Sequence, residues 1–209
     1  MAIEAVIFDV DGVLVDAREW HYEALNRALA LLGYPISRFD HVSTYDGLST
    51  RQKLELLSAE RGLPRPLHPF VNELKQRYTM QLIHARCNPV FQHEFTLANL
   101  KGAGYRLAAA SNSVRRTVEA MMERSQLAGY LEVMVSNEDV AKPKPDPEIY
   151  TVALERLGVA PDRALVIEDN EYGVAAAKAA GAHVMVVSSP LDVTSDRVMA
   201  QIRALDRAA

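Results

Sequence analysis

Cysteine is almost absent: the 209 residues contain a single one, Cys87, so no internal disulfide can form. That usage suits a reducing compartment, and a cytoplasmic location is the expectation. No apolar run approaches the ~20 residues that cross a bilayer. No basic segment followed by an apolar one opens the sequence, so neither a membrane partner nor a secretory leader is expected. Positive charge is also scarce. Lys and Arg number 23 against 27 Asp and Glu, a net charge of −4, which argues against a nucleic-acid partner, since such proteins usually carry a basic face. A local basic pocket can still sit on an acidic chain. Internal repeats and low-complexity segments are missing too. What is present is 49% apolar, enough for a packed core, over a length that fits one large domain or a core with a small companion.

Short apolar runs rich in β-branched residues recur along the chain: Ile3 to Phe8, Tyr105 to Ala110, Val133 to Val135, Ala164 to Ile167 and His183 to Val187. Runs that are apolar on both faces predict buried parallel strands. Helical patterns lie between them. Ile149, Val152, Ala153, Leu154 and Leu157 repeat at helical spacing. Asp146 can cap that helix, Pro147 suits its first turn and Gly158 its end. A second helical run, Val174 to Ala179, closes at Gly181, and a surface helix follows Ser195. Strands alternating with helices of this length imply an α/β fold, a doubly wound parallel sheet covered on both faces.

The segment from Ala17 to about Asn88 differs. It has no convincing strand, and three helical patterns occupy it. Leu25, Ala28, Leu29 and Leu32 form a stripe ending at Gly33; Ser49-Thr50-Arg51-Gln52 has the form of a capping box; a third pattern runs from about Phe70 to Arg86. The expected organisation is an α/β core of residues 1–16 and 89–209, with an α-helical subdomain of residues 17–88 inserted after the first strand.

In open parallel sheets, ligands bind at the carboxyl ends of the strands. Four such ends carry polar residues here: Asp9-Val10-Asp11-Gly12, Ser111-Asn112, the Lys142-Pro143-Lys144-Pro145-Asp146-Pro147 run after the third strand, and Glu168-Asp169-Asn170. Several carboxylates cannot share a crevice unless a cation or shared protons offset their repulsion. Oxygen ligands of this kind favour magnesium. A serine, backbone amides and a lysine beside such a metal suit a phosphate. Ser111 or Ser113 could instead cap the helix that follows. Arg115 and Arg116 either reach a substrate anion or line a solvated helix face.

The ordered set resembles the four motifs of the haloacid dehalogenase superfamily. Asp9 to Asp16 matches the first, Ala110-Ser111-Asn112 the second, Lys142 to Pro147 the third, and Glu168-Asp169-Asn170 with Gly173 the fourth. The helical insert resembles that family's cap, over a Rossmann-like core. The resemblance implies a magnesium-dependent phosphatase of a small phosphorylated metabolite. It makes Asp9 the nucleophile, and Asp11 the general acid and then the general base. Asp9, Asp11 through its main-chain carbonyl, Glu168 and Asp169 become the metal set. Ser111, Asn112 and Lys142 become the phosphate-binding residues, with Lys142 preferred to Lys144. In the cap, His21 and the loop residues Gly47, Ser49, Thr50 and Arg51 are the substrate candidates. In phosphomutase relatives an arginine directly follows the Gly-x-Ser of that loop. Thr50 stands there in this sequence, which favours a phosphatase over a mutase. Neither nucleic acid nor membrane is an expected partner, and a monomer or weak dimer is the expected state.

Overall fold

The computed structural model describes residues 2–45 and 48–208, so Gly47 lies outside the described residues. The chain forms two compact units, one of Met1–Asp16 with Cys87–Ala209, the other of Ala17–Arg86. A first strand, β1 (Ala5–Phe8), precedes the second unit. That unit contains α1 (Arg18–Ala30), a short α2 (Arg38–Asp40) running into a π-helical turn over His41–Tyr45, α3 (Thr50–Arg61) and α4 (His68–Arg86). The predicted stripe of α1 closes a core in which Leu25, Ala28 and Leu29 meet Ile36, Tyr45, Leu54, Leu57, Leu63 and Val71. The Ser49 hydroxyl accepts from the Gln52 amide (3.3 Å), and Gln52 Oε1 accepts from the Ser49 amide (2.9 Å). These reciprocal bonds satisfy amides that a helix start leaves open. Gly62, at φ +73°, ends α3 in the left-handed region.

In the first unit the chain continues through α5 (Phe91–Gly102), β2 (Arg106–Ala110), α6 (Arg115–Arg124) and β3 (Val133–Val135). It then runs through α7 (Glu148–Leu157), β4 (Ala164–Glu168), α8 (Glu171–Ala179), β5 (His183–Val186) and α9 (Ser195–Ala208). The five strands lie in the order β3-β2-β1-β4-β5, all parallel. Ala5, Ile7, Ala108, Ala110, Val135, Ala164 and Val166 turn one face of the sheet toward Ile149, Tyr150, Ala153, Leu154, Ala176 and Ala177 of α7 and α8. The alternate residues Val6, Phe8, Leu107, Ala109, Leu165 and Ile167 are equally buried, with α5 packed on β2 and α9 on α5. Burial on both faces is why these strands read as continuous apolar runs. The chain order reverses on either side of β1, and such a switch point opens a crevice at the carboxyl ends of the strands. No helix of the described residues is long and apolar enough to cross a membrane.

One ion cluster ties the loop after β3 to two helices. Asp139 Oδ1 accepts from Arg115 and from Arg156, each at 2.7 Å, and Oδ2 from the Ser136 amide and hydroxyl, each at 2.8 Å. Arg115 is therefore committed to Asp139. Burial alone would raise the Asp139 pKa, but the Ser136 and arginine hydrogen bonds outweigh it and hold the carboxyl well below its usual 3.8. A depressed folded-state pKa stabilises above the unfolded value and is lost as pH falls toward the folded one. Asp139→Asn is expected to lower the thermal midpoint at pH 7 by roughly 3–8 °C, from one or two charge-assisted bonds lost. Below the ordinary carboxylate range that gap should narrow. Paired melts at pH 7 and about pH 3.5 read it directly, and a gap that widens in acid would contradict the assignment.

Candidate active site

Asp9 follows β1 directly, and its amide donates to the Ile167 carbonyl (3.0 Å), carrying the β1–β4 ladder one residue further. The chain then turns back sharply. The amides of Leu14 and Val15 both donate to the Val10 carbonyl (3.0 and 2.9 Å), and the Gly12 amide donates to the Val15 carbonyl (2.7 Å). Gly12 sits at φ +92°, a conformation that side-chain-bearing residues rarely adopt. This turn holds Asp11 beside the end of β2, where Ser111 Oγ and Ser113 Oγ lie 3.2 and 3.0 Å from its Oδ2.

The lysine of the site is Lys144. Its Nζ donates to Asp9 Oδ1 (2.6 Å), Glu168 Oε1 (2.7 Å) and the Ala110 carbonyl (3.0 Å), with only 3% of its side chain exposed. Asn112 Oδ1 accepts the Lys144 amide at 3.0 Å, so this side chain fixes the backbone that carries the ammonium. Lys142, the preferred sequence candidate, is corrected by this geometry. Its side chain is 74% exposed and lies 3.8 Å from Asp146. The physical reason lies in the backbone. The amides of Ala141 and Lys142 both donate to the Glu148 carboxylate in the first turn of α7 (2.9 Å each), which anchors Lys142 at the surface.

Glu168, the last residue of β4, is fully buried. Its Oε1 takes Lys144 Nζ and the Tyr150 hydroxyl (2.6 Å); its Oε2 takes the Asp169 amide, the Asn170 amide and Asn170 Nδ2. Tyr150 went unnoticed in the sequence because it sits within the apolar stripe of α7. A buried phenol requires a hydrogen-bond partner, and here the partner is Glu168. Burial and the Glu168 charge keep that phenol protonated, its pKa raised well above the usual value.

Gly173 makes room for this carboxylate. A Cβ there would stand 1.7 Å from Glu168 Oε1. Replacing a helix glycine by alanine ordinarily stabilises by about 1 kcal/mol. Gly173→Ala is expected to act in the opposite direction, lowering the thermal midpoint by roughly 3–10 °C through overpacking. A melt equal to or above that of the unmodified protein would refute the close approach.

Carboxylate oxygens of Asp9, Glu168 and Asp169 lie within 4.8 Å of one another. Burial first, then the Glu168 and Asp11 charges, push the Asp9 pKa well above its usual value against the pull of Lys144. Burial opposes charge on Lys144 as well, but Asp9, Tyr150 and Glu168 outweigh it and keep the ammonium protonated. One ammonium thus faces a larger number of carboxylates. Hard oxygen donors with uncompensated negative charge fit a divalent cation such as magnesium.

Other sequence candidates fall elsewhere. His21 is partly buried in the first turn of α1. Ser49 is engaged in its capping box, Thr50 begins α3, and Arg51 is exposed there. Cys87 is buried, and burial raises its thiol pKa, which suits an inert residue.

The family model described as haloacid dehalogenase-like hydrolase matches residues 6–187. A phosphorylated carbohydrates phosphatase of Thermotoga maritima is 36% identical over 182 residues, covering 86% of this chain and 82% of that relative. A plasmid-borne phosphoglycolate phosphatase of Cupriavidus necator is 34% identical, covering 88% of this chain and 80% of that protein. The crystal structure of CbbY from Rhodobacter sphaeroides in complex with phosphate superposes with a TM-score of 0.79 at 30% identity, covering 88% of this chain and 85% of that one. The chain belongs to the haloacid dehalogenase-like hydrolase family and is an enzyme of that class.

Proposed function

We propose that this enzyme is a magnesium-dependent phosphatase of small phosphorylated metabolites, of the sugar phosphate or phosphoglycolate type, acting through an aspartyl phosphate on Asp9. One observation carries the reading: a buried carboxylate at the end of the central strand is held by Lys144, with a second carboxylate, Asp11, two residues away beside Ser111. The names of the two phosphatases described above support the substrate class. When bound, the magnesium ion would offset the repulsion between a carboxylate nucleophile and an anionic phosphoryl group. Asp9, Asp169 and the main-chain carbonyl of Asp11 would hold it. Glu168, whose oxygens already take five donors, would stand behind them.

Asp9 attacks phosphorus and forms a carboxyl–phosphate bond as the ester P–O bond breaks. Asp11 gives its proton to the departing alkoxide. It then takes a proton from the water that attacks the acyl phosphate, which restores Asp9 and releases inorganic phosphate. Lys144 aims Asp9 and pulls it toward its charged form against burial, and Ser111 with the Asn112 amide binds phosphate oxygens.

The test is phosphate release across a panel of small phosphate esters, including β-glucose 1-phosphate with and without its bisphosphate. Release from a narrow subset, stopped by EDTA and restored by magnesium, is the expected result. Undiminished turnover after thorough metal removal would overturn the metal dependence. Isomerisation to glucose 6-phosphate without net release would make the enzyme a mutase.

A further inference from the structure

Two serine hydroxyls converge on one carboxylate oxygen, Asp11 Oδ2: Ser111 Oγ at 3.2 Å and Ser113 Oγ at 3.0 Å. Ser111 is also assigned to bind a phosphate oxygen. A serine hydroxyl has a single proton to donate. Once Ser111 donates to phosphate, it no longer donates to Asp11, and Ser113 remains on Oδ2. The Ser113 backbone is fixed independently of its side chain. Its amide donates to Ser111 Oγ (3.0 Å), and its carbonyl accepts from the Asn137 amide (3.1 Å). Ser113 does not cap the next helix either. Val114 occupies the N-cap of α6, and the first amide of that helix, Arg115, donates to Glu138 Oε2 (2.7 Å).

The geometry points to Ser113 as a positioning residue that holds the Asp11 carboxyl for proton transfer after the substrate phosphate has claimed Ser111. This rests on the assignment of Asp11 as the general acid. A hydroxyl donating to Oδ2 leaves Oδ1 as the oxygen that carries the transferable proton. In the first step the Oδ1–H bond breaks, the proton passes to the leaving oxygen, and the electron pair stays on the carboxylate. The Ser113 hydrogen bond strengthens as that negative charge develops. It therefore supports the transition state of leaving-group departure as well as the carboxylate that later acts as base.

Leaving groups separate this role from simple structural support. The magnesium-loaded enzyme is assayed on p-nitrophenyl phosphate, whose leaving group departs without a proton, and on the alkyl phosphate ester it turns over best. The readout is the ratio of kcat/KM, alkyl over aryl, which covers only the steps through phosphoryl transfer. Ser113→Ala is expected to lower this ratio about tenfold, a fraction of what general acid catalysis supplies. Ser113→Thr, which keeps the hydroxyl, should restore it to within about twofold. In the same assay Asp11→Asn should lower the ratio by roughly 10²–10⁴. Equal losses on both substrates in Ser113→Ala would overturn the positioning role and leave Asp11 as the acid. An unchanged ratio in Asp11→Asn would overturn the assignment of Asp11 itself, and the role of Ser113 with it.

Discussion

Asp9→Asn should abolish turnover, with a loss of at least about 10⁴-fold, the scale seen when a catalytic nucleophile is removed. The fold should survive intact. Asparagine is close to isosteric with aspartate. Burial and the neighbouring Glu168 and Asp11 charges already work against a carboxylate at this position. In the variant, Lys144 keeps Glu168 and the Ala110 carbonyl as partners, so one buried cation faces one buried anion. The thermal midpoint without metal is therefore expected to match or exceed that of the unmodified protein. Phosphate release and a thermal melt read the two halves separately. Residual activity within about tenfold of the unmodified enzyme would remove Asp9 as nucleophile.

Lys144→Met is expected to damage both stability and activity. Removing one member of a buried ion pair typically costs about 3–5 kcal/mol, because the partner charges stay buried and uncompensated. Asp9 Oδ1 and Glu168 Oε1 both lie within 2.7 Å of that ammonium. Without it the two carboxyls must share protons, which leaves Asp9 a poor nucleophile at neutral pH. Turnover should fall by about 10²–10³-fold, the scale of a lost electrostatic contact to the reacting group. Lys142→Ala provides the contrast. Its ammonium is largely solvated and 3.8 Å from Asp146, and exposed pairs of this kind are worth about 1 kcal/mol or less. Its turnover should stay close to that of the unmodified enzyme. If the two substitutions exchanged effects, Lys142 would be reinstated as the site lysine.

The sheet was legible because its inner strands β1, β2 and β4 are buried on both faces, a pattern that needs no knowledge of neighbours. The carboxyl-end rule then gathered Asp9, Ser111 and Glu168 at one edge of the sheet. Lys142 and Lys144 were harder to separate, since each stands in a Lys-Pro-x-Pro frame. What distinguishes them is the hold of Glu148 on the Lys142 backbone, a contact that spacing does not announce. The Lys-Pro-Asp-Pro run ending at the cap of α7 was the available clue: it sets Lys144, two residues before Asp146, at the mouth of that helix. Ser113 and Tyr150 were missed for opposite reasons. Ser113 had a simpler role on offer as a helix cap, and Tyr150 lay hidden in an apolar stripe. Residues 38–45 carry no apolar periodicity, so α2 and the π-helical turn were not foreseen.

The parallel register pairs Val6 of β1 with Leu107 of β2 and with Leu165 of β4. Of the five strands the innermost is thus the first to be synthesised, while its second neighbour, β4, emerges only after β2 and β3. As the polypeptide leaves the ribosome, β1 is apolar on both faces and has no strand to join. The helical insert, which carries its own apolar core, is completed while β1 still waits. Contacts this distant in sequence slow folding and leave intermediates prone to aggregation. Biosynthesis, more than the stability of the finished enzyme, is where this topology is most exposed to failure, and slower growth or added chaperone should raise the soluble yield.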